Sequence, residues 1–394
     1  MQTWPRKPGH ATRRPVFQTD LSSPQAPTQR RVSKYNSLWL DRFEATGRAR
    51  PLSGAQNGTQ RNRLPGDIAI KRRALITGIG GQDGSYLAEL LLAKDYEVFG
   101  MIPRRSHPQS QTTRIQHIYD LLQLEYGDVL DLPSVIRLVK LVQPDEIYHL
   151  AAQSHVQVSF TEPILTTCVI VTGTLNMLEA TADFAPQARF YHAASSEIFG
   201  NSPDYPINEH SRMLPCSPYG AAKLNAYHLT RIYRVTKHLY AVNGILFNHE
   251  SPRRGINFVT AKVIKAALDI KHGRASELLL GTLDSARDWG HAADYVESMW
   301  RMLQQPAADD YVVATGREVT IRELCEYVFQ RVGLDDYHRY VRLIDRHRRP
   351  FEVQRLCGDA RKAREVLGWQ PKYTFETLID EMITSLEAEF YPMG

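Results

Sequence analysis

One segment limits the possible folds more than any other: Thr77-Gly78-Ile79-Gly80-Gly81-Gln82-Asp83-Gly84. The apolar run Ala74 to Ile76 enters it, and Ser85 to Ala93 leaves it with Leu87, Leu90 and Leu91 at helical spacing. A strand that turns through glycines into a helix opens a βαβ unit, which needs a parallel neighbour strand and a right-handed crossover. Glycines at 78, 81 and 84 allow a tight turn, close approach of backbone to a pyrophosphate, and close packing of helix on sheet. The phosphates of a dinucleotide would face the helix N-terminus, so every residue from Gly78 to Gly84 is a candidate cofactor contact.

The alternation continues downstream. Glu97 to Ile102 reads as a second strand, Val135 to Val142 as a helix, and Glu146 to Leu150 and Arg189 to His192 as further strands. The apolar stretch Leu165 to Phe184 reads as the helix between the last two. This pattern predicts an α/β fold with a Rossmann-like doubly wound parallel sheet over residues 71–247. Beyond Asn248 the alternation loosens, and arginines and aromatics increase. That half is expected to form a smaller mixed α/β C-terminal lobe, 248–394, which binds substrate and has segments free to cross back.

Charge bears on partners. The net charge of +5 comes from residues 1–70, which carry a net +8, while the remainder carries −3. A nearly neutral body argues against nucleic acid. The basic, Pro- and Gln-rich extension lacks apolar periodicity and is expected to be disordered, apart from a possible helix at Val32 to Phe43. Cys168, Cys216, Cys325 and Cys357 are far apart without metal-ligand spacing, so no metal site and a reduced, cytoplasmic setting are expected. No run of eighteen apolar residues suggests a membrane span.

Side chains that carry chemistry follow the strand ends. Arg104-Arg105 stands after the second strand, where an enzyme using NAD presents an acid to the ribose 2′-hydroxyl; two guanidiniums there suit a 2′-phosphate, hence NADP. Asp128 and Val129 follow the third strand, and Leu150-Ala151-Ala152-Gln153-Ser154 the fourth, where small residues let a cofactor cross the sheet edge. Tyr219 and Lys223, four apart in Ser217-Pro218-Tyr219-Gly220-Ala221-Ala222-Lys223, share one helix face, and the ammonium is expected to lower the phenol's pKa into the range of a usable base. Ser195, at the end of an earlier strand, supplies a hydroxyl for a sugar oxygen. Glu197 lies two residues on, so extended backbone would project it from the same face. Simple hydride transfer needs no such carboxylate; removing a proton beside a carbonyl does.

From about Arg73 to Trp369 the chain resembles the GDP-mannose 4,6-dehydratase family of extended short-chain dehydrogenases/reductases. The most specific block is Asn243-Gly244-Ile245-Leu246-Phe247-Asn248-His249-Glu250-Ser251-Pro252-Arg253-Arg254-Gly255, supported by Gly281 to His291 and Arg349-Pro350-Phe351-Glu352-Val353. The resemblance implies that Ser195 hydrogen-bonds the hexose, that Glu197 and Tyr219 are catalytic, and that Lys223, His249 and Arg254 line an NADP site. It makes Asn248, Lys262, Arg287, Arg349 and Glu352 candidate contacts to the nucleotide sugar. Selectivity for guanine follows from the resemblance alone, as does a homo-oligomer. Two rivals stay open: a nucleotide-sugar decarboxylase or another dehydratase of the superfamily, and a non-catalytic binding homologue. The family's Tyr-Thr-Ala-Asp-Val-Asp-Gly stretch is replaced here by Leu165-Thr166-Thr167-Cys168-Val169-Ile170-Val171, and the arginine loop lacks the usual Ser-Phe-Asn-Thr.

Overall fold

The computed structural model describes residues 71–104, 112–347 and 349–392; the expectations for residues 1–70 and for Arg105 lie outside them. Short, mostly apolar runs become the strands of one seven-stranded sheet: β1 (Arg73–Thr77), β2 (Glu97–Ile102), β3 (Gln123–Tyr126), β4 (Glu146–His149), β5 (Arg189–Ser195), β6 (Ala241–Leu246) and, later in the chain, β10 (Asp310–Val313). Their order is β10-β6-β5-β4-β1-β2-β3, and every pairing is parallel. The order reverses beside β1, where β4 lies on one side and β2 on the other. That switch point is where an open α/β sheet leaves a crevice at its carboxyl edge.

Helices cover both faces. The first five are α1 (Gln82–Ala93), α2 (Leu132–Val142), α3 (Val156–Thr161), α4 (Pro163–Phe184) and α5 (Pro218–Thr236). Leu75, Ile147 and Phe190 of the sheet pack with Leu138 and Val142 of α2, Met177 and Leu178 of α4, and Tyr233 of α5. Further on come α6 (Val259–Lys271), α7 (Ala292–Leu303), α8 (Ile321–Arg331), α9 (Arg361–Leu367) and α10 (Phe375–Phe390). Helix α7 packs on α1 across the other face. Burial of that many Val, Leu, Ile and Phe side chains at about 1.5–3 kcal/mol each is the main stabilising term.

Helix α4 departs from the expectation in two ways. It begins at Pro163 rather than Leu165, and one turn, Cys168–Thr172, which overlaps the end of the replaced stretch, is wound as a π-helix. It is also long and apolar enough to cross a membrane by length and composition, although no unbroken run of eighteen apolar residues exists. Met177, Leu178 and Ala180 carry its apolar character into the core, whereas Ile164 and Leu165 are exposed.

Past Asn248 two smaller sheets form. Strand β9 (Ala286–His291) is flanked by β11 (Glu318–Thr320), antiparallel, and by β13 (Arg355–Leu356) and β7 (Asn248–Glu250), both parallel. Strands β8 (Leu278–Leu280) and β12 (Val341–Leu343) pair in parallel. A second core joins Ile264 and Leu268 of α6, Leu324 and Val328 of α8, and Leu378 and Met382 of α10 around Trp289. Strand β10 returns to the large sheet, where it pairs with β6.

Candidate active site

The glycine turn is built around Thr77 and Gly78. Thr77 Oγ1 accepts from the backbone N–H of Leu150 and Ala151, each at 3.1 Å, and stands 2.9 Å from His149 Nδ1. An oxygen that accepts twice donates its one proton to that nitrogen, so His149 carries its proton on Nε2, facing Thr174 Oγ1 at 3.2 Å. Burial, helped by the Lys223 charge, holds this ring neutral with a pKa of about 3. Gly78 has φ +75°, and a Cβ there would meet Ala151 N at 3.0 Å, so the turn admits neither a left-handed L-residue nor its side chain. The open N–H groups at the start of α1 follow, with Gly81 as cap.

Not every residue of this motif offers its side chain to a ligand. Ile79 is fully buried against Gly100, leaving only its backbone. Gln82 Nε2 donates to His249 O, and Gln82 Oε1 accepts from Ser251 Oγ at 2.8 Å. Asp83 Oδ2 lies 2.8 Å from His249 Nε2, while His249 Nδ1 lies 2.8 Å from Phe247 O. Carboxylate and carbonyl oxygens only accept, so His249 donates from both nitrogens and is an imidazolium. Burial opposes that charge, but the Asp83 carboxylate outweighs it and holds His249 above its ordinary value; burial likewise opposes ionised Asp83, and His249 holds it below its own. Arg253 adds bonds to Ser85 and Glu89 of α1. Arg114 donates to Arg253 O and Gly80 O.

The other strand-end candidates divide. Arg104 lies with its guanidinium 4.8 Å from the Tyr126 ring, at the β2–β3 edge. Asp128 caps its own turn by accepting from Leu130 N, and Val129 is buried. Ala152 packs near Tyr219 with Ile170 of the replaced stretch. Gln153 is held by Thr166 and His155, and Ser154 is exposed.

Strand β5 and helix α5 bring the next group together. Ser195 ends β5 and caps a one-turn 3-10 helix, Ser196–Ile198, accepting from Glu197 N at 3.3 Å. Glu197 therefore reaches the site through a turn, not through the extended backbone expected from its spacing. The residue is 6 % exposed, and Oε2 has no hydrogen-bond partner among the described residues. Ser217 caps α5, placing Tyr219 in its first turn, near enough to Ser195 for that hydroxyl to pull the phenol's pKa down against burial. Gly220 allows this approach: a Cβ there would meet Glu197 O at 2.6 Å.

Lys223 hydrogen-bonds the backbone and not the Tyr219 phenol. Its Nζ donates to Ala193 O at 2.7 Å and lies 5.9 Å from the Tyr219 ring centre. Burial lowers the ammonium's pKa to about 8. Burial raises the phenol's to about 12, against the pull of Ser195 and the more distant Arg254. Arg254 itself pairs with Glu250 at 2.9 Å and covers the Phe258 ring at 3.5 Å.

Residues from the later sheets close the site. Strand β13, paired with β9, carries the preceding residues 349–354 past Arg287. Asn201 pins that segment to the loop after Glu197, donating to Glu352 O and accepting from Gln354 N. Arg287 Nη2 reaches Glu352 Oε1 at 3.2 Å; Arg349 Nη1 lies 3.4 Å from the same oxygen and 3.7 Å from Glu197 Oε1. Asn248 Oδ1 is buried with no partner among the described residues, and Lys262 donates to Leu279 O. Ser195, Glu197, Tyr219, Arg287, Arg349 and Glu352 thus converge, with Lys223 behind Tyr219. Thr77, Arg114 and Asn201 were not singled out from the sequence; Thr77 lay inside the glycine motif, whereas nothing local marked the other two.

A protein-family model described as GDP-mannose 4,6 dehydratase matches residues 75–382. The chain belongs to this family. It is 49 % identical over 328 residues to GDP-mannose 4,6 dehydratase 2 of Arabidopsis thaliana, covering 80 % of this chain and 87 % of the relative. It is 44 % identical over 369 residues to the Drosophila melanogaster GDP-mannose 4,6 dehydratase, covering 86 % and 92 %. Among solved structures it is similar to the dTDP-glucose 4,6-dehydratase DesIV of Streptomyces venezuelae with NAD bound, at TM-score 0.72 and 25 % identity over 81 % of this chain and 97 % of that one. The stretch 165–171 sets Ile170 against Tyr219, Ala222 and Ala226.

Proposed function

We propose that the chain is an NADP-dependent GDP-mannose 4,6-dehydratase, converting GDP-mannose to GDP-4-keto-6-deoxymannose and water. The observation that carries this reading is Glu197 beside Ser195 and Tyr219: a buried carboxylate whose Oε2 has no hydrogen-bond partner among the described residues, where an oxidoreductase alone would need none. Membership of the family supplies the sugar nucleotide.

The residues present fit a nicotinamide dinucleotide. Gly78 leaves a cradle that a Cβ would fill, the α1 N-terminus presents amides for a pyrophosphate, and Arg104 stands at the strand end that meets a 2′-phosphate. A nicotinamide dinucleotide held by these residues would supply a reversible hydride acceptor, and its positive charge would favour the ionised form of Tyr219. Ser195 holds the C4 oxygen while Tyr219 takes the C4 hydroxyl proton. The resulting ketone acidifies the C5 proton, which Glu197 removes and passes to the C6 hydroxyl as it leaves as water. With the proton held by Tyr219 passed to C5 as hydride is added at C6, Tyr219 is restored and water is the net loss. Arg287 and Arg349 serve the diphosphate as guanidinium forks. Residues 71–247 take the cofactor and 248–394 mainly the sugar nucleotide, with a homo-oligomer as the working form and the cytoplasm as its location.

Purified protein incubated with GDP-mannose and no added reductant should form a product lighter by one water, read by mass; an unchanged sugar nucleotide overturns the reading. For the cofactor, Arg104→Ala should weaken NADP binding about tenfold or more, the scale of a charge-assisted hydrogen bond, and leave NAD binding nearly unchanged. Equal loss for both dinucleotides overturns the NADP assignment.

A further inference from the structure

Glu197, Arg349, Glu352 and Arg287 form a row of alternating charge beside Tyr219, with successive separations of 3.7, 3.4 and 3.2 Å. Two anions and two cations leave the row neutral, although Arg287 and Glu197 are each only 6 % exposed. The two guanidiniums are held differently. Arg287 sits in β9, donates to Ala286 O at 2.9 Å and hydrogen-bonds Glu352. Arg349 lies outside any strand and is more exposed. Its Nη1 is at ion-pair distance from both carboxylates, yet makes no hydrogen bond among the described residues. Glu197 Oε2 is likewise buried without a partner. Arg349 is therefore shared loosely between two carboxylates, and Glu197, which also feels the buried Arg287 charge, has Arg349 as its nearest cation among the described residues.

A diphosphate ester changes the competition. It brings about two negative charges and oxygens that a guanidinium fork bonds bidentately at shorter range than either carboxylate now offers. We propose that Arg349 is a positioning residue shared between Glu197 and the diphosphate of the substrate, so that diphosphate binding withdraws the guanidinium from Glu197 and leaves that carboxylate available to the C5 proton. This rests on the dehydratase reading. It goes beyond that reading because Arg349 then controls Glu197 as well as holding phosphate. Binding energy from the non-reacting end of the substrate is used at the reacting carbon, and a keto sugar without a nucleotide meets a carboxylate still paired with its cation.

The test supplies the substrate in two pieces. Deuterium exchange at C5 of a free 4-keto-6-deoxyhexose in D2O is followed by mass, with and without saturating GDP. For the parent protein GDP should raise exchange about tenfold, a fraction of what a general base contributes. Arg349→Met should exchange at the raised rate without GDP and gain nothing from it, while Arg349→Lys should keep a GDP response. A ligand that only holds phosphate would leave the free sugar's exchange untouched. No rise with GDP in the parent, or no rise in Arg349→Met over the parent without GDP, overturns the proposal. In a complex with GDP the Arg349 guanidinium should lie on the phosphates and away from Glu197; a guanidinium still beside Glu197 overturns it as well. Conversion of GDP-mannose by the parent is measured in the same series. If conversion is present and the GDP effect absent, this inference alone fails; if conversion is absent, the dehydratase reading fails.

Discussion

In the proposed reaction Glu197 and Tyr219 meet the same sugar through different chemistry, and their environments separate the two roles. Burial on its own raises the Tyr219 phenol's pKa to about 12, so it takes the C4 proton only once a bound cation lowers that value. Glu197, by contrast, keeps one carboxylate oxygen without a hydrogen-bond partner among the described residues. Glu197→Gln is nearly isosteric but cannot accept the C5 proton. Water loss should slow by about 10²–10⁴-fold, the usual cost of a general base. Oxidation at C4 should survive, so absorbance of the reduced nicotinamide should build up after sugar is added. Tyr219→Phe should block oxidation and give no such signal. Single-turnover absorbance on both variants checks the division, and water loss at the parent rate in Glu197→Gln would make that residue structural.

At the scale of elements, the site depends on how closely helix α5 approaches the turn after β5. Gly220 is the contact point, since any Cβ there would drive into Glu197 O. Gly220→Ala should push the first turn of α5 outward and part Tyr219 from Ser195. A displacement of about 1 Å at reacting groups costs on the order of 10²-fold, so kcat should fall by that scale. Cofactor affinity should hold, because the glycine turn and β7 lie apart from this contact. Kinetics and dinucleotide titration on one preparation check the split; loss of both together would place the defect in the fold.

Across the whole molecule, strand β7 of the smaller sheet is tied to the cofactor turn of the larger by His249 and Asp83. His249 has its pKa raised in the folded protein, so its contribution is fully present below the unfolded histidine value and is lost as pH rises through the folded one. Asp83 has its pKa lowered, so its contribution is present above the unfolded carboxylate value and is lost as pH falls through the folded one. The tie therefore holds between those limits and weakens on the alkaline side first. Melting curves from about pH 5 to 9 should show stability declining above neutrality in the parent. Asp83→Asn should cost about 1–3 kcal/mol near neutral pH and flatten that decline. A decline of equal size in the variant would assign it to other groups.

The features legible in the sequence are those specified by spacing within one element. The glycine turn, the alternation of strand and helix, and the pairing of Tyr219 with Lys223 on one helix face all follow from periods of two and 3.6 residues acting over a dozen positions. Partners across elements were decided by packing. Lys223 found Ala193 O instead of Tyr219, because β5 runs beneath α5; Glu197 arrived through a 3-10 turn capped by Ser195. Arg349 reached Glu197, more than 150 residues earlier, because β13 pairs with β9 and Asn201 pins the connecting segment. Burial then set the protonation, raising Tyr219 and lowering Lys223 and His149 by removing water that no linear pattern records. The sequence by itself determined which groups the chain would bring to one edge of a parallel sheet. Only the tertiary structure decided which of them touch and which carry charge, since contact and desolvation depend on neighbours far away along the chain.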